Sequence, residues 1–199
     1  MIIVEKVILV NEQDDELGVA EKSIAHAEGK LHRAFSVLVL NDRNELLLQR
    51  RAQDKHHSGG LWSNTCCGHP RPDESIQTAA RRRLQEEMGF DCPLKEIFSF
   101  VYRAEVGNGS IEYEYDHVFI GEFNGEPVLN SAEVMDWNWI SLHELHKAVQ
   151  VRPDQYAVWL RLILDQCNGD KLGDHRDALY DRTKSTSTGN LQHNPVRTC

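Results

Sequence analysis

Residues able to do chemistry crowd into a few short stretches of this chain. Thr65-Cys66-Cys67-Gly68-His69-Pro70 sets two thiols beside an imidazole. Shortly downstream come Arg82, Arg83, Glu86 and Glu87, and the four-residue step from Arg83 to Glu87 puts a guanidinium and a carboxylate on one helical face. Glu112, Glu114 and Asp116 alternate along an apolar run, so the two-residue period of a strand turns three carboxyls to one side. Six cations, Lys22, Arg50, Arg51, Lys55, Arg82 and Arg83, stand close to these motifs, although the chain as a whole carries a net charge of −9. An anionic ligand needs such a local cluster. Imidazole and carboxylate are metal-binding groups, and thiol and carboxyl are proton carriers.

The elements that must position these groups can be read from periodicity. Apolar, β-branched runs at 4–10, 34–40 and 46–49 predict strands, the last two joined by the turn Asn41-Asp42-Arg43-Asn44. A second hairpin pairs 97–104 with 111–123 around Gly107-Asn108-Gly109. If it folds symmetrically about Asn108, Tyr102 lies opposite Glu114 and Ala104 opposite Glu112. Trp137 to Ile140 predicts a short strand, followed by the capping-box signature Ser141-Leu142-His143-Glu144. One longer helix is expected from Asp73 or Glu74 to Met88, stopped by Gly89, and another from about Pro153 to Cys167.

Size and composition bound the rest. A chain of 199 residues with 40% hydrophobic content suits one domain, expected over 1–167, and the polar stretch 168–199 reads as a loosely ordered tail. Five irregularly spaced cysteines make no disulfide framework, which favours a reducing cytoplasm. No stretch approaches the roughly 18 apolar residues of a membrane span. The acidic balance argues against general nucleic-acid binding. A monomer or weak homodimer is the expectation.

Gly68, Glu74, Arg82, Leu84, Glu86, Glu87 and Gly89 fall in the register of the Nudix box, a loop-helix-loop module that holds a divalent ion against a diphosphate. Arg83 stands where hydrolytic members carry glutamate. That exchange removes a metal ligand and supplies a phosphate clamp, which favours holding a diphosphate over cleaving it. Cys67-Gly68-His69-Pro70, together with His26, His32 and Glu112-Tyr113-Glu114, further resembles the type I isopentenyl-diphosphate isomerases over roughly residues 3 to 165. The resemblance implies an α/β fold, a Nudix-like mixed β-sheet sandwiched between helices, with an N-terminal extension completing the active site.

It also implies roles. His26, His32, His69, Glu112 and Glu114 would bind zinc or manganese, for which three imidazoles and two carboxylates are a suitable set. With five residues between His26 and His32, and with His56 and His57 nearby, the identity of the first histidine ligand stays open. Glu87 and the main-chain carbonyl of Cys67 would approach a magnesium ion carried by the diphosphate. Lys22, Arg51, Lys55 and Arg83 would contact the diphosphate itself. Moving a double bond by one carbon requires one proton delivered and another removed, and Cys67 and Glu114, the latter bonded to Tyr102, are the implied pair. The intermediate carbocation would lie over Trp159. The implied activity is reversible conversion of isopentenyl to dimethylallyl diphosphate for isoprenoid biosynthesis. A Nudix diphosphate hydrolase and a non-catalytic Nudix-like binding module are the rival readings.

Overall fold

Residues 34–40 are apolar at nearly every position, a composition suited to a strand covered on both faces. In the structure, a computed structural model that describes residues 4–167, they lie at the centre of a nine-stranded mixed sheet. The expected tail, Cys199 included, lies outside the described residues. In chain order the elements are β1 (Lys6–Val10), β2 (Glu16–Glu21), α1 (Lys22–Glu28), β3 (His32–Leu40), β4 (Glu45–Arg51), β5 (Trp62–Ser63), β6 (Cys66–Gly68), α2 (Ile76–Met88), β7 (Leu94–Glu105), β8 (Ile111–Glu122), β9 (Val134–Ser141), α3 (Leu142–Val151) and α4 (Val158–Cys167).

β3 runs parallel to β8 from His32 beside Glu114 to Leu40 beside Glu122, and antiparallel to β1, β4 and β6. β7 and β8 form the second hairpin, and β4 joins β5 and β9. Strand alternation then builds two cores. Phe35, Val37 and Val39 pack with Ala79, Ala80, Leu84 and Met88 of α2 on one face. Leu38 and Leu40 pack with Leu145 of α3 and with Trp159, Leu160, Ile163 and Leu164 of α4 on the other. The sheet is thus sandwiched between helices, as expected.

Two helices differ from their expected bounds. α2 starts at Ile76 rather than at Asp73 or Glu74, because Asp73 is left-handed (φ 65°) and Ser75 caps the helix by accepting from the Thr78 N–H at 3.2 Å. It ends where predicted, at Gly89, whose φ of 74° suits glycine. A Cβ there would also lie 2.4 Å from the Val128 carbonyl oxygen. The expected 153–167 helix is interrupted. Pro153–Gln155 makes a single 3-10 turn and Tyr156 is extended, because the Ala157 N–H donates to the Trp62 carbonyl at 2.8 Å and Tyr156 bridges to Trp62. α4 begins only after this tether, which docks it against β5. The capping box holds: Ser141 accepts from the Glu144 N–H at 3.3 Å and donates to its carboxylate at 2.6 Å.

β2 and α1 have no counterpart among the predicted elements. They bring the N-terminal segment around to the end of the sheet where the carboxyls gather. No described helix is long and apolar enough to cross a membrane.

Candidate active site

The sheet face that buries Val118 and Ile120 under α4 carries Glu112, Glu114 and Asp116 toward the start of β8, and all three are buried. The register expected from the hairpin is the observed one, with Tyr102 opposite Glu114 and Ala104 opposite Glu112. Parallel pairing sets His32 beside Glu114 on the other side. Tyr102, Glu114 and His32 therefore form one row across three strands. The Tyr102 hydroxyl donates to Glu114 Oε2 at 2.6 Å.

Three imidazoles close over this row. His26 lies in the last turn of α1, where its Nδ1–H donates to the Lys22 carbonyl at 2.7 Å, and His32 Nδ1–H donates to the Lys30 carbonyl at 2.8 Å. A carbonyl only accepts, so Nδ1 of each ring carries a proton and Nε2 is the atom turned toward the cluster. Gly29, left-handed at φ 62°, makes the tight turn that lets α1 and β3 present their histidines together. His69 arrives from the end of β6, and its Nε2 lies 3.2 Å from His32 Nε2 and 2.9 Å from Glu114 Oε1. His26 Nε2 lies 3.5 Å from Glu112 Oε2.

One donor atom from each of His26, His32, His69, Glu112 and Glu114 lies within 4.8 Å of all the others. Two features of this cluster call for a cation. Ring nitrogens of His32 and His69 crowd to 3.2 Å, and His26 Nε2 and Glu112 Oε2 are buried without a hydrogen-bond partner. Burial, reinforced by Lys22 and the neighbouring His32 and His26, holds the His69 imidazolium well below its ordinary pKa and so keeps the ring neutral. Burial, with Glu112 adjacent, pushes the Glu114 carboxyl up. The donor set fits a divalent metal ion.

Cys67 adjoins the same face, since β6 pairs Cys67 with Ser36 on β3, and Ser36 donates to Asp116 Oδ2 at 2.9 Å. Cys67 is half-buried. Burial nevertheless pushes the thiol up to about 12, opposed by Arg51 and reinforced by the Glu87, Glu114 and Glu112 carboxylates. Arg51 Nη1 is 4.0 Å from the sulfur, and the guanidinium sits 5.2 Å from the centre of the Trp159 ring. Trp159 is buried and anchored through its indole N–H to Ser63 Oγ at 2.9 Å and Asn64 Oδ1 at 3.1 Å.

Around the rim, the Arg83 guanidinium bonds Glu87 and reaches Glu86 at 2.7 Å and Glu133 at 3.2 Å. Glu133 also takes the Lys55 ammonium, so Lys55 and Arg83 converge on one carboxylate. The second oxygen of Glu87 accepts from Gln49 Nε2 at 2.8 Å. Lys22 is engaged by Glu5 at 3.1 Å. Arg50 and Arg82 turn elsewhere, Arg50 to the Gly60 carbonyl and Arg82 to Glu74 through two bonds of 2.7 and 2.8 Å. Sequence reasoning missed Gln49, Glu133 and the Ser36–Asp116 pair, and left His57 only as a competitor. His57 in fact meets Glu112 Oε1 at 2.9 Å.

A family model of the NUDIX domain matches residues 30–161. The chain is 56% identical over 162 residues to isopentenyl-diphosphate Delta-isomerase 2 of Aromatoleum aromaticum, across 81% of this chain and 86% of that protein. It is 52% identical over 161 residues to isopentenyl-diphosphate Delta-isomerase 2 of Photorhabdus laumondii, across 81% of this chain and 91% of that one. Among solved structures, one from Deinococcus radiodurans superposes with a TM-score of 0.67 at 18% identity, covering 82% of this chain and 99% of that one. The MutT protein of Methanosarcina mazei superposes with a TM-score of 0.58 at 22% identity, over 69% of this chain and 93% of that one. The two structures share the fold.

Proposed function

Because the chain belongs to the NUDIX domain family and, within it, to the isopentenyl-diphosphate Delta-isomerases, we propose that it converts isopentenyl to dimethylallyl diphosphate and back. Residues 1–167 are the catalytic unit of this reading. The observation that carries it is the row of Tyr102, Glu114 and His32 under a histidine cluster, with Cys67 paired to Ser36, whose hydroxyl bonds Asp116 on the same sheet face.

Each turnover adds one proton at the terminal alkene carbon, leaving a tertiary carbocation, and removes another from the methylene on the far side of the cationic carbon. Glu114 and Cys67 carry these protons, and their roles exchange when the reaction runs backward. Tyr102 holds the Glu114 carboxyl in position through its hydrogen bond. Trp159 offers the carbocation an aromatic face, worth about 2 kcal/mol when desolvated. The indole already accommodates the Arg51 cation, which supports that role.

A divalent ion, zinc or manganese by donor set, would be held by His26, His32, His69, Glu112 and Glu114 and would supply the positive charge that keeps the buried carboxylates in place. Magnesium accompanying the diphosphate would be met by Glu87 and the Cys67 carbonyl. Arg51, Lys55, Arg83 and Lys22 bind the diphosphate, with Glu133 holding Lys55 and Arg83 together before it arrives. Hydrolysis is disfavoured because Arg83 pairs with Glu87 instead of adding a carboxylate to it.

Incubation with isopentenyl diphosphate and magnesium in deuterated water tests the proposal. Dimethylallyl diphosphate carrying deuterium is the expected product. Release of inorganic phosphate with no allylic product would instead make the protein a hydrolase.

A further inference from the structure

His57 belongs to the segment between β4 and β5, and its ring reaches into the metal cluster without joining it. Nε2 lies 2.9 Å from Glu112 Oε1, while the other oxygen of the same carboxylate faces His26 Nε2 at 3.5 Å. One oxygen of Glu112 is therefore engaged by His57 and the other is left to the cluster. The five donor atoms that lie within 4.8 Å of one another do so without any atom of His57.

The ring is wedged in place by its neighbours. It lies near-parallel to His26 at 5.9 Å between centroids and meets Trp159 edge-on at 6.1 Å. Its carbonyl accepts from Arg51 Nη2 at 3.3 Å. Its Nδ1 is buried without a partner, an arrangement that costs stability and is offset locally by the bond to Glu112.

We propose that His57 is a positioning residue for the metal centre: it donates to Glu112 Oε1 and thereby aims Glu112 Oε2 at the cation site, without itself being a ligand. A carboxylate free to turn about its last bond presents its oxygens in several directions, whereas one anchored by an outer hydrogen bond presents a single ligand atom. The bond also links the metal centre to Arg51 and Trp159, because the same residue touches all three. The inference rests on the metal-centre reading above.

The test compares the full-length wild type with His57→Phe, which keeps a flat ring but no donor, and with His57→Gln, which restores an N–H near the Nε2 position. Each protein is stripped with a chelator and titrated with manganese and, separately, with zinc against a competing chromophoric chelator. The melting temperature of each metal-free form is measured alongside. The expected result is affinity about 10–100-fold weaker in His57→Phe, largely recovered in His57→Gln, with little change in metal-free melting. Equal affinity in wild type and His57→Phe overturns the proposal while leaving the metal centre standing. So does a joint loss of affinity and metal-free stability that His57→Gln does not repair. Failure of the wild type to bind either metal removes the metal-centre reading and this inference with it.

Discussion

The Tyr102 hydroxyl sits 2.6 Å from Glu114 Oε2, directly across the β7–β8 ladder. A buried phenol facing a carboxyl has few alternatives to this bond. Burial and the Glu114 charge together push the phenol well above its ordinary pKa, so it remains a donor. Tyr102→Phe is expected to lower kcat roughly 10–100-fold, the equivalent of about 1.5–3 kcal/mol for a hydrogen bond to a charged group, with KM little changed. Steady-state kinetics with isopentenyl diphosphate check the split between the two constants.

Cys67→Ala is expected to abolish isomerisation and leave the fold intact. The side chain is small and partly exposed, and β6 is held to β3 through backbone pairing at 66–68 rather than through the sulfur. Near-wild-type circular dichroism with no deuterium in recovered substrate is the predicted pair of results. Normal turnover would remove Cys67 from the proton-carrying pair.

Removing metal is expected to act on stability as well as on rate. At a metal concentration 100 times the Kd, binding to the folded state alone contributes about 2.7 kcal/mol, or roughly 5–10 °C in melting temperature for a chain this size. Chelated protein should therefore melt lower and lose activity, and both should return on adding manganese or zinc in the presence of magnesium. Calorimetry before and after chelation measures the first effect, and an assay of the same samples measures the second.

How far the site could be read in advance follows from where the signals lie along the chain. The β7–β8 register was legible because alternation and the Gly107-Asn108-Gly109 turn are local, and local geometry alone put Tyr102 against Glu114. The convergence of His26, His32 and His69 on that row came from resemblance, since the seven-residue α1 is too short to announce itself by period. Gln49, Glu133 and His57 stayed hidden because each acts through a partner far along the chain, Glu87, Lys55 and Glu112 respectively. The interrupted last helix has the same origin. Pro153 reads locally as a helix start, and only the bond from Ala157 to the distant Trp62 carbonyl delays α4.

Gly89 ties stability to the rim of the site. A methyl group there would sit 2.4 Å from the Val128 carbonyl oxygen in a left-handed backbone conformation. The neighbouring segment hangs from the end of α2 by bonds from the Val128 N–H to the Met88 carbonyl and from the Asn130 N–H to that of Glu87, and Glu133 follows three residues later. Gly89→Ala is expected to cost about 2 kcal/mol or more, combining left-handed strain with the clash. Urea unfolding reads the stability. A raised KM for isopentenyl diphosphate is expected with it, because displacing this segment moves Glu133 away from Lys55 and Arg83.

Substitutions at Trp159 are expected to separate anchoring from catalysis. Its indole N–H bonds Ser63 and Asn64, and its ring carries the Arg51 cation. Trp159→Phe gives up the N–H bonds but keeps an aromatic face, whereas Trp159→Leu gives up both. If the face stabilises a developing carbocation, Leu should lose more kcat than Phe by a further factor of roughly 10–30, the rate equivalent of about 2 kcal/mol at most. Loss of the N–H anchor should appear in both variants as a similar fall in melting temperature. Equal kcat in the two variants at equal stability would assign Trp159 to packing alone.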